Sequence, residues 1–371
     1  MLNVAVNLLW LAPGRVGGSE QYLVRQLRGL SDEALAVTLY VQPGFLEAHP
    51  ELCAQRTVIT APFARDWRPL RVATEHTWLT RRTRSADVAH HGGGTSPSGG
   101  PPRTVVTVHD LQYTMFPQYF GATRLAYLRA TMPKSMRRAT VVATPSEYVR
   151  RRVLEVFRRD PAGVVVVPHG VPDLERPTDD AIDAVLARYG VRRPYLVYPA
   201  ITHPHKGHRV LVDLLRAAGP GHPLRDLQLV LIGGTGAAEQ ELLAAIAVDA
   251  SVAGRIVRAG RVPDADRDAL IAGSEALVFP SEYEGFGAPV VEAMALGVPV
   301  VTSDHPALVE VVAGAGVMVA GRDPDAWSAG IADALARRAE LIDLGLARRA
   351  AFTPAVSGQA LAAAYHRAAD A

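Results

Sequence analysis

The sequence predicts an α/β protein built from two doubly wound, Rossmann-like domains facing a central cleft. Three observations carry this. Short runs rich in Val, Ile and Leu alternate with longer amphipathic stretches, the pattern of parallel strands joined by helical crossovers. The series restarts after a proline-bounded segment, Pro172 to Pro194. A chain of 371 residues also exceeds one typical core, so two domains are the natural division.

Taken in order, the strand candidates of the first half are 4–9, 35–41, 88–90, 104–108, 141–144 and 164–167. Those of the second half are 195–198, 227–232, 256–259, 276–279, 298–302 and 316–319. The expected boundaries are residues 1–175 for the first domain, 176–193 for a linker with a helix, and 194–352 for the second domain. A C-terminal helix over 353–371 is expected to pack back toward the first domain. Ligands of open α/β sheets bind beyond the carboxyl ends of the strands, so the turns that follow these strands are where chemistry is sought.

The most informative turn is Glu284-Gly285-Phe286-Gly287-Ala288-Pro289-Val290-Val291-Glu292. Pro289 fits the first turn of a helix, Val290, Val291 and Met294 face inward, and Gly297 fits just past its end. Glu284 therefore falls on the loop and Glu292 in the helix. Glycines let the loop backbone approach a ligand, and a helix start offers N–H groups and a positive dipole end to a phosphate. Carboxylates accept hydrogen bonds, which suits a hydroxyl-rich sugar. Each glutamate alone is equally well explained as a dipole or surface charge.

Other strand ends repeat the theme. Gly14-Arg15-Val16-Gly17-Gly18-Ser19-Glu20 follows the first strand, with Ser19 able to cap a helix running to about Leu30. Gly92 to Pro102 is a glycine- and proline-rich stretch, either an acceptor loop or a linker. His109-Asp110 ends another strand. Thr202-His203-Pro204-His205-Lys206-Gly207-His208 precedes a helix, and its lysine can neutralise a leaving diphosphate without a metal. Three histidines there fit no i, i+4 metal pair. Asp264-Ala265-Asp266 and Asp323-Pro324-Asp325 spell D-x-D, yet each opens a helix, where Asp is a natural cap.

Composition is that of a globular protein with no apolar run near the ~18 residues of a membrane span. The opening Met1 to Trp10 lacks basic residues ahead of its apolar part, so a first strand is expected there rather than a signal peptide, with the cytoplasm as location. Cys53 is the single cysteine, which excludes internal disulfides. The net charge of +2 is uneven: residues 1–160 carry 21 Lys and Arg against 12 Asp and Glu, the remainder 18 against 25. Arginine clusters at 65–84 and 137–159 either meet an anionic membrane surface or phosphorylated acceptor, or form solvated helix faces. Nucleic acid is not an expected partner, because there is little aromatic interleaving and no recognisable binding module.

The segment Glu284 to Glu292, continued through Ala293-Met294-Ala295-Leu296-Gly297-Val298-Pro299-Val300-Val301, resembles the E-x7-E element of retaining glycosyltransferases of the GT-B fold, family 4, group 1. The resemblance spans both domains and is weakest over 45–100. It implies an acceptor side in the first domain and a donor side in the second, with no cofactor or metal beyond a nucleotide-sugar co-substrate.

By residue, it implies that Glu284 and the backbone at Phe286 and Gly287 hold the hexose, Glu292 the ribose, Gly17 and Gly18 the diphosphate-sugar region, and Val262 the base. Lys206 serves the leaving diphosphate, beside His205, and His109 approaches the transferred sugar. Asp110 and Arg15 are the acceptor candidates. Many relatives carry an arginine several residues before this lysine; here Tyr198-Pro199-Ala200-Ile201 has none, leaving His203, His205 or Arg209 as substitutes. Pro204-His205-Lys206 is similar to mannosyl-type enzymes and points to GDP-mannose, with UDP-glucose or UDP-N-acetylglucosamine as alternatives. The expected partners are that donor and a glycan or lipid-linked acceptor, with peripheral contact on the inner membrane face. A sugar-nucleotide epimerase, a non-catalytic binding protein and a nicotinamide oxidoreductase are the readings from other classes.

Overall fold

The computed structural model describes residues 1–13, 18–62 and 68–371, and the chain divides into two compact units. The first comprises Met1–Pro172 with Phe352–Ala371, the second Asp173–Ala351. Each is a parallel sheet covered by helices.

The first sheet has seven strands: β1 (Leu2–Asn7), β2 (Leu35–Val41), β3 (Thr57–Thr60), β4 (Val88–His91), β5 (Thr104–Thr107), β6 (Val141–Thr144) and β7 (Val164–Val166), in the order β3-β2-β1-β4-β5-β6-β7. The reversal at β1 is a topological switch point, with Asn7 level with both Tyr40 and His91. β3 was not expected from sequence. It is a four-residue edge strand with no fully buried residue, so it carries neither an apolar run nor an alternation.

The helix Gly18–Gly29 begins one residue before Ser19, so Ser19 lies in its first turn and is not its cap. Arg15 and Gly17 fall outside the described residues, as does Arg65 of the first basic cluster. In the second cluster, Arg150 and Arg159 are tied down: Arg150 donates to the Val164 carbonyl at 2.8 Å and Arg159 to that of Ala139 at 2.8 Å.

The helix Pro354–Ala369 belongs to the first unit and packs on the helix Gly18–Gly29 through a backbone contact. A Cβ at Gly29 would lie 1.8 Å from the Pro354 carbonyl oxygen, and one at Gly358 2.1 Å from that of Gly29. Tyr365, fully buried, places its hydroxyl 2.8 Å from His90 Nδ1, and His366 pairs with Asp32 at 2.7 Å. His90 Nε2 lies 2.8 Å from the Thr107 hydroxyl, so both ring nitrogens are satisfied in the neutral form. Burial pushes this histidine down to about 3.

The second sheet has six strands: β8 (Tyr195–Pro199), β9 (Gln228–Ile232), β10 (Ile256–Gly260), β11 (Ala276–Phe279), β12 (Val300–Ser303) and β13 (Val317–Val319), in the order β10-β9-β8-β11-β12-β13. The chain again reverses direction across the sheet at β8. β9 and β11 flank it and are buried along their whole length, as expected of parallel strands covered by helices on both faces. No helix among the described residues is long and apolar enough to cross a membrane.

Candidate functional site

The lysine turn and the first glutamate meet in the second unit. Lys206 follows β8 and Glu284 follows β11, the strand paired beside it. Lys206 Nζ donates to Glu284 Oε1 at 2.6 Å, with the side chains 20% and 10% exposed, and lies 5.9 Å from the Phe279 ring centre. The turn is held from below, because the buried Tyr198 hydroxyl donates to the Lys206 carbonyl at 2.6 Å. Burial, followed by the negative charge of Glu284, keeps that phenol well above its ordinary pKa. Gly207 ends the turn at φ 70°, and a Cβ there would lie 2.3 Å from the Pro280 carbonyl oxygen. Only glycine meets both conditions.

His205 lies in the same turn, and its backbone carbonyl accepts from the Glu282 N–H at 2.8 Å. Burial, then the charge of Lys206, pushes it down to about 3, which favours its neutral form near pH 7. Its ring stacks on His203 at 5.8 Å. Arg209 is engaged along its own helix, donating to Asp213 at 2.9 and 3.0 Å.

A second network braces this turn. Arg258 on β10 donates to the Gly233 carbonyl at 2.7 Å and to both Glu239 oxygens at 3.0 and 3.1 Å. Glu239 in turn accepts from the Thr202 hydroxyl, which accepts from the Gly236 N–H at 2.7 Å.

Phe286 is buried, and Gly287, at φ 100°, caps the helix Ala288–Ala295. Val290, Val291 and Met294 are at most 1% exposed, and Glu292, on the same helix, is itself only 6% exposed. Its charge reaches Arg267 and Asp268 on the helix Asp264–Ala272. Burial opposes the charged form of Arg267, yet Glu292 and the neighbouring aspartates raise it above its ordinary value. Val262 lies just beyond β10, partly exposed, and His305 follows β12 with its Nδ1 accepting from the Ala307 N–H at 3.3 Å. Burial lowers His305 against the raising influence of Glu284, which places it within electrostatic reach of that glutamate. Sequence reasoning missed it.

The D-x-D aspartates are used structurally. Asp266 accepts from Arg188 at 2.7 Å and from the Tyr189 hydroxyl at 2.8 Å, and Asp323 caps the helix Pro324–Ala336. Among the described residues no cluster of three or more His, Cys, Asp and Glu is placed to hold a metal ion.

In the first unit, a cavity of about 610 Å³ opens beyond the ends of β1, β2, β4 and β5. His109 and Asp110 both line it, with Trp10, Gln42, Arg71, Tyr113 and residues of the helix Ala122–Arg138. His109 Nε2 donates to the Gly92 carbonyl at 2.7 Å, which fixes its tautomer, and its ring lies against Trp10 at 5.6 Å and Tyr22 at 5.3 Å. Asp110 is exposed, and its Oδ1 accepts from the Gln112 N–H at 3.0 Å.

The glycine-rich stretch supplies a wall: Gly93, Gly94 and Thr95 line the cavity, and a Cβ at Gly93 would meet the Trp10 ring at 2.8 Å. Ser96 N–H donates to the Ser135 hydroxyl at 2.9 Å, which fastens the segment to the long helix. A free linker would make no such contacts. Arg71 of this cavity belongs to the first arginine cluster read from sequence, whereas Arg124 was not singled out, because nothing in its local spacing sets it apart from the solvated arginines around it.

Two family models match in succession, Glycosyltransferase Family 4 over residues 16–176 and Glycosyl transferases group 1 over residues 193–337. The chain belongs to glycosyltransferase family 4, group 1. Among relatives of this family 4 chain, the O-antigen chain mannosyltransferase B of Escherichia coli is 31% identical over 251 residues, covering 67% of this chain and 65% of that protein. A GDP-mannose-dependent alpha-(1-6)-phosphatidylinositol monomannoside mannosyltransferase of Mycolicibacterium smegmatis is 30% identical over 241 residues, 62% of each. The chain thus spans less than two thirds of the length of the curated relatives it matches. The crystal structure of Anabaena Alr3699/HepE with UDP-glucose superimposes with a TM-score of 0.75 over 98% of this chain and 99% of that one, at 18% identity. The family 4 chain has the two-domain α/β architecture of GT-B glycosyltransferases.

Proposed function

We propose that the protein is a retaining glycosyltransferase that moves a hexose, mannose in the first instance, from a nucleoside-diphosphate sugar to a hydroxyl of a glycan or lipid-linked acceptor. The observation that carries this is the Lys206–Glu284 ion pair at 2.6 Å on adjacent strand ends, with the buried Glu292 one helix start away. Lys206 keeps two further N–H donors for the departing diphosphate. Glu284, fixed by that lysine, and the backbone at Phe286 and Gly287 take the hexose. Glu292 takes the ribose and Val262 the base, while Gly17 and Gly18 remain assigned to the diphosphate-sugar region and Arg15 to the acceptor. His109 and Asp110 line the acceptor side.

No protein nucleophile is assigned. The acceptor hydroxyl attacks on the face the leaving diphosphate vacates, and a phosphate oxygen takes its proton, so catalysis rests on positioning and electrostatics. GDP-mannose is the favoured donor because the relatives above are mannosyltransferases and one is GDP-mannose-dependent by name. A UDP-sugar is the second reading, supported by the UDP-glucose complex of a structural neighbour.

A thermal-shift panel of GDP, UDP and their sugars tests the donor, since a ligand of the native state raises its midpoint by mass action. NMR of the product tests retention. An inverted anomeric configuration, or a chelator-sensitive reaction, refutes the mechanism.

A further inference from the structure

The cavity of the first domain carries more positive charge than sugar hydroxyls require. Among the described residues, Arg71 and Arg124 line it against one carboxylate, Asp110, which already accepts from the Gln112 N–H. The ion partner of Arg71 among those residues is Glu75 at 3.9 Å, the outer limit of such a pair, and the Arg71 Nε–H is buried without a hydrogen bond to any of them. Glu75 is itself buried. Burial pushes its carboxyl above the ordinary range, against the opposing pull of Arg71 and Asn7. A guanidinium whose counter-charge is distant and reluctant to ionise is poorly neutralised, and a ligand anion supplies what Glu75 does not.

Arg124 extends over the Phe120 ring at 5.0 Å, which holds its planar fork in one orientation. Trp10 offers an aromatic surface, and Gly93 leaves room for it.

We propose that the cavity takes a negatively charged sugar, a phosphorylated or uronate-type pyranose, with its anionic group on Arg71 and Arg124 and its ring against Trp10. Calling this sugar the acceptor rests on the transfer reading above; the anion site itself does not.

Calorimetry on the full chain at low salt tests it with mannose 6-phosphate, glucuronate, mannose and inorganic phosphate as probes. The charged sugars bind at least tenfold more tightly than mannose, and Arg71→Gln or Arg124→Gln weakens them by about 10- to 100-fold, the scale of a lost charged hydrogen bond. Arg71→Lys recovers part of the loss. Equal binding of charged and neutral sugars, or unchanged binding in Arg71→Gln, overturns the proposal. Inorganic phosphate binding as tightly as mannose 6-phosphate overturns the sugar half of it. Nucleoside diphosphate binding, read on the same samples, reports folding of the variants and tests the donor assignment separately. Charged-sugar binding without any nucleotide binding supports the anion site and refutes the transfer reading instead.

Discussion

Acidification from pH 7.5 to pH 5.0 destabilises this protein through four buried histidines. His90 and His91 in the first unit are held at about 3 and about 4, and His205 and His208 in the second at about 3 and about 4. Burial is the leading cause in each, and the charges of Arg138, Lys206 and Arg258 add to it at His91, His205 and His208 respectively. In the unfolded chain each titrates near 6.5. The folded values are depressed, so the neutral form is favoured by folding, its contribution is complete above about 6.5, and it is lost as pH falls toward 4. At pH 5 the unfolded state gains about 2 kcal/mol per histidine by binding a proton that the folded state refuses. Each unit therefore loses about 4 kcal/mol through its pair alone, a large share of the ~5–15 kcal/mol that holds a typical domain together. Glu75 acts in the opposite sense, because burial raises its carboxyl. His90→Gln isolates one histidine from that background, since an amide can still bond Tyr365 and Thr107. Urea unfolding of both proteins at pH 7.5 and 5.0 is the assay. The acid loss shrinks by about 2 kcal/mol in the variant. An identical pH dependence in the two proteins refutes the linkage.

Three further outcomes are expected. Lys206→Ala lowers kcat by roughly 10²-fold or more, the scale of one lost electrostatic stabiliser, and wild-type turnover in the variant sinks that role. Glu292→Ala raises the KM for donor with a smaller effect on kcat, and steady-state kinetics with varied sugar nucleotide separates the two. Gly358→Ala places a Cβ 2.1 Å from the Gly29 carbonyl oxygen, so it displaces the C-terminal helix and costs at least ~1–3 kcal/mol, measured as a lowered unfolding midpoint.

Strand ends were readable because buried parallel strands are continuous apolar runs, and ligands of open α/β sheets bind beyond the carboxyl ends of such strands. The turns there pointed to Lys206, Glu284 and His109, and to Glu292 in the helix that follows one of them, and the family resemblance implied their roles. β3 was not readable, because an edge strand half-exposed along its length lacks the apolar signal. The role of Gly92 to Pro102 was equally hidden. Glycine permits both a linker and a close approach, and only the Trp10 ring against Gly93 decides between them.

The sequence by itself determined the two-domain parallel architecture and the chemistry available at its turns, since both follow from local periodicity and from residue types at short spacing. Tertiary structure decided the pairings. Lys206 and Glu284 are 78 residues apart in the chain, and the adjacency of β8 and β11 brings their side chains to 2.6 Å. His205 keeps its position in the turn but loses its charge, because burial is a property of the packed fold and not of the motif. Arg71 likewise acquires its meaning only from the cavity that it lines and the buried carboxyl behind it.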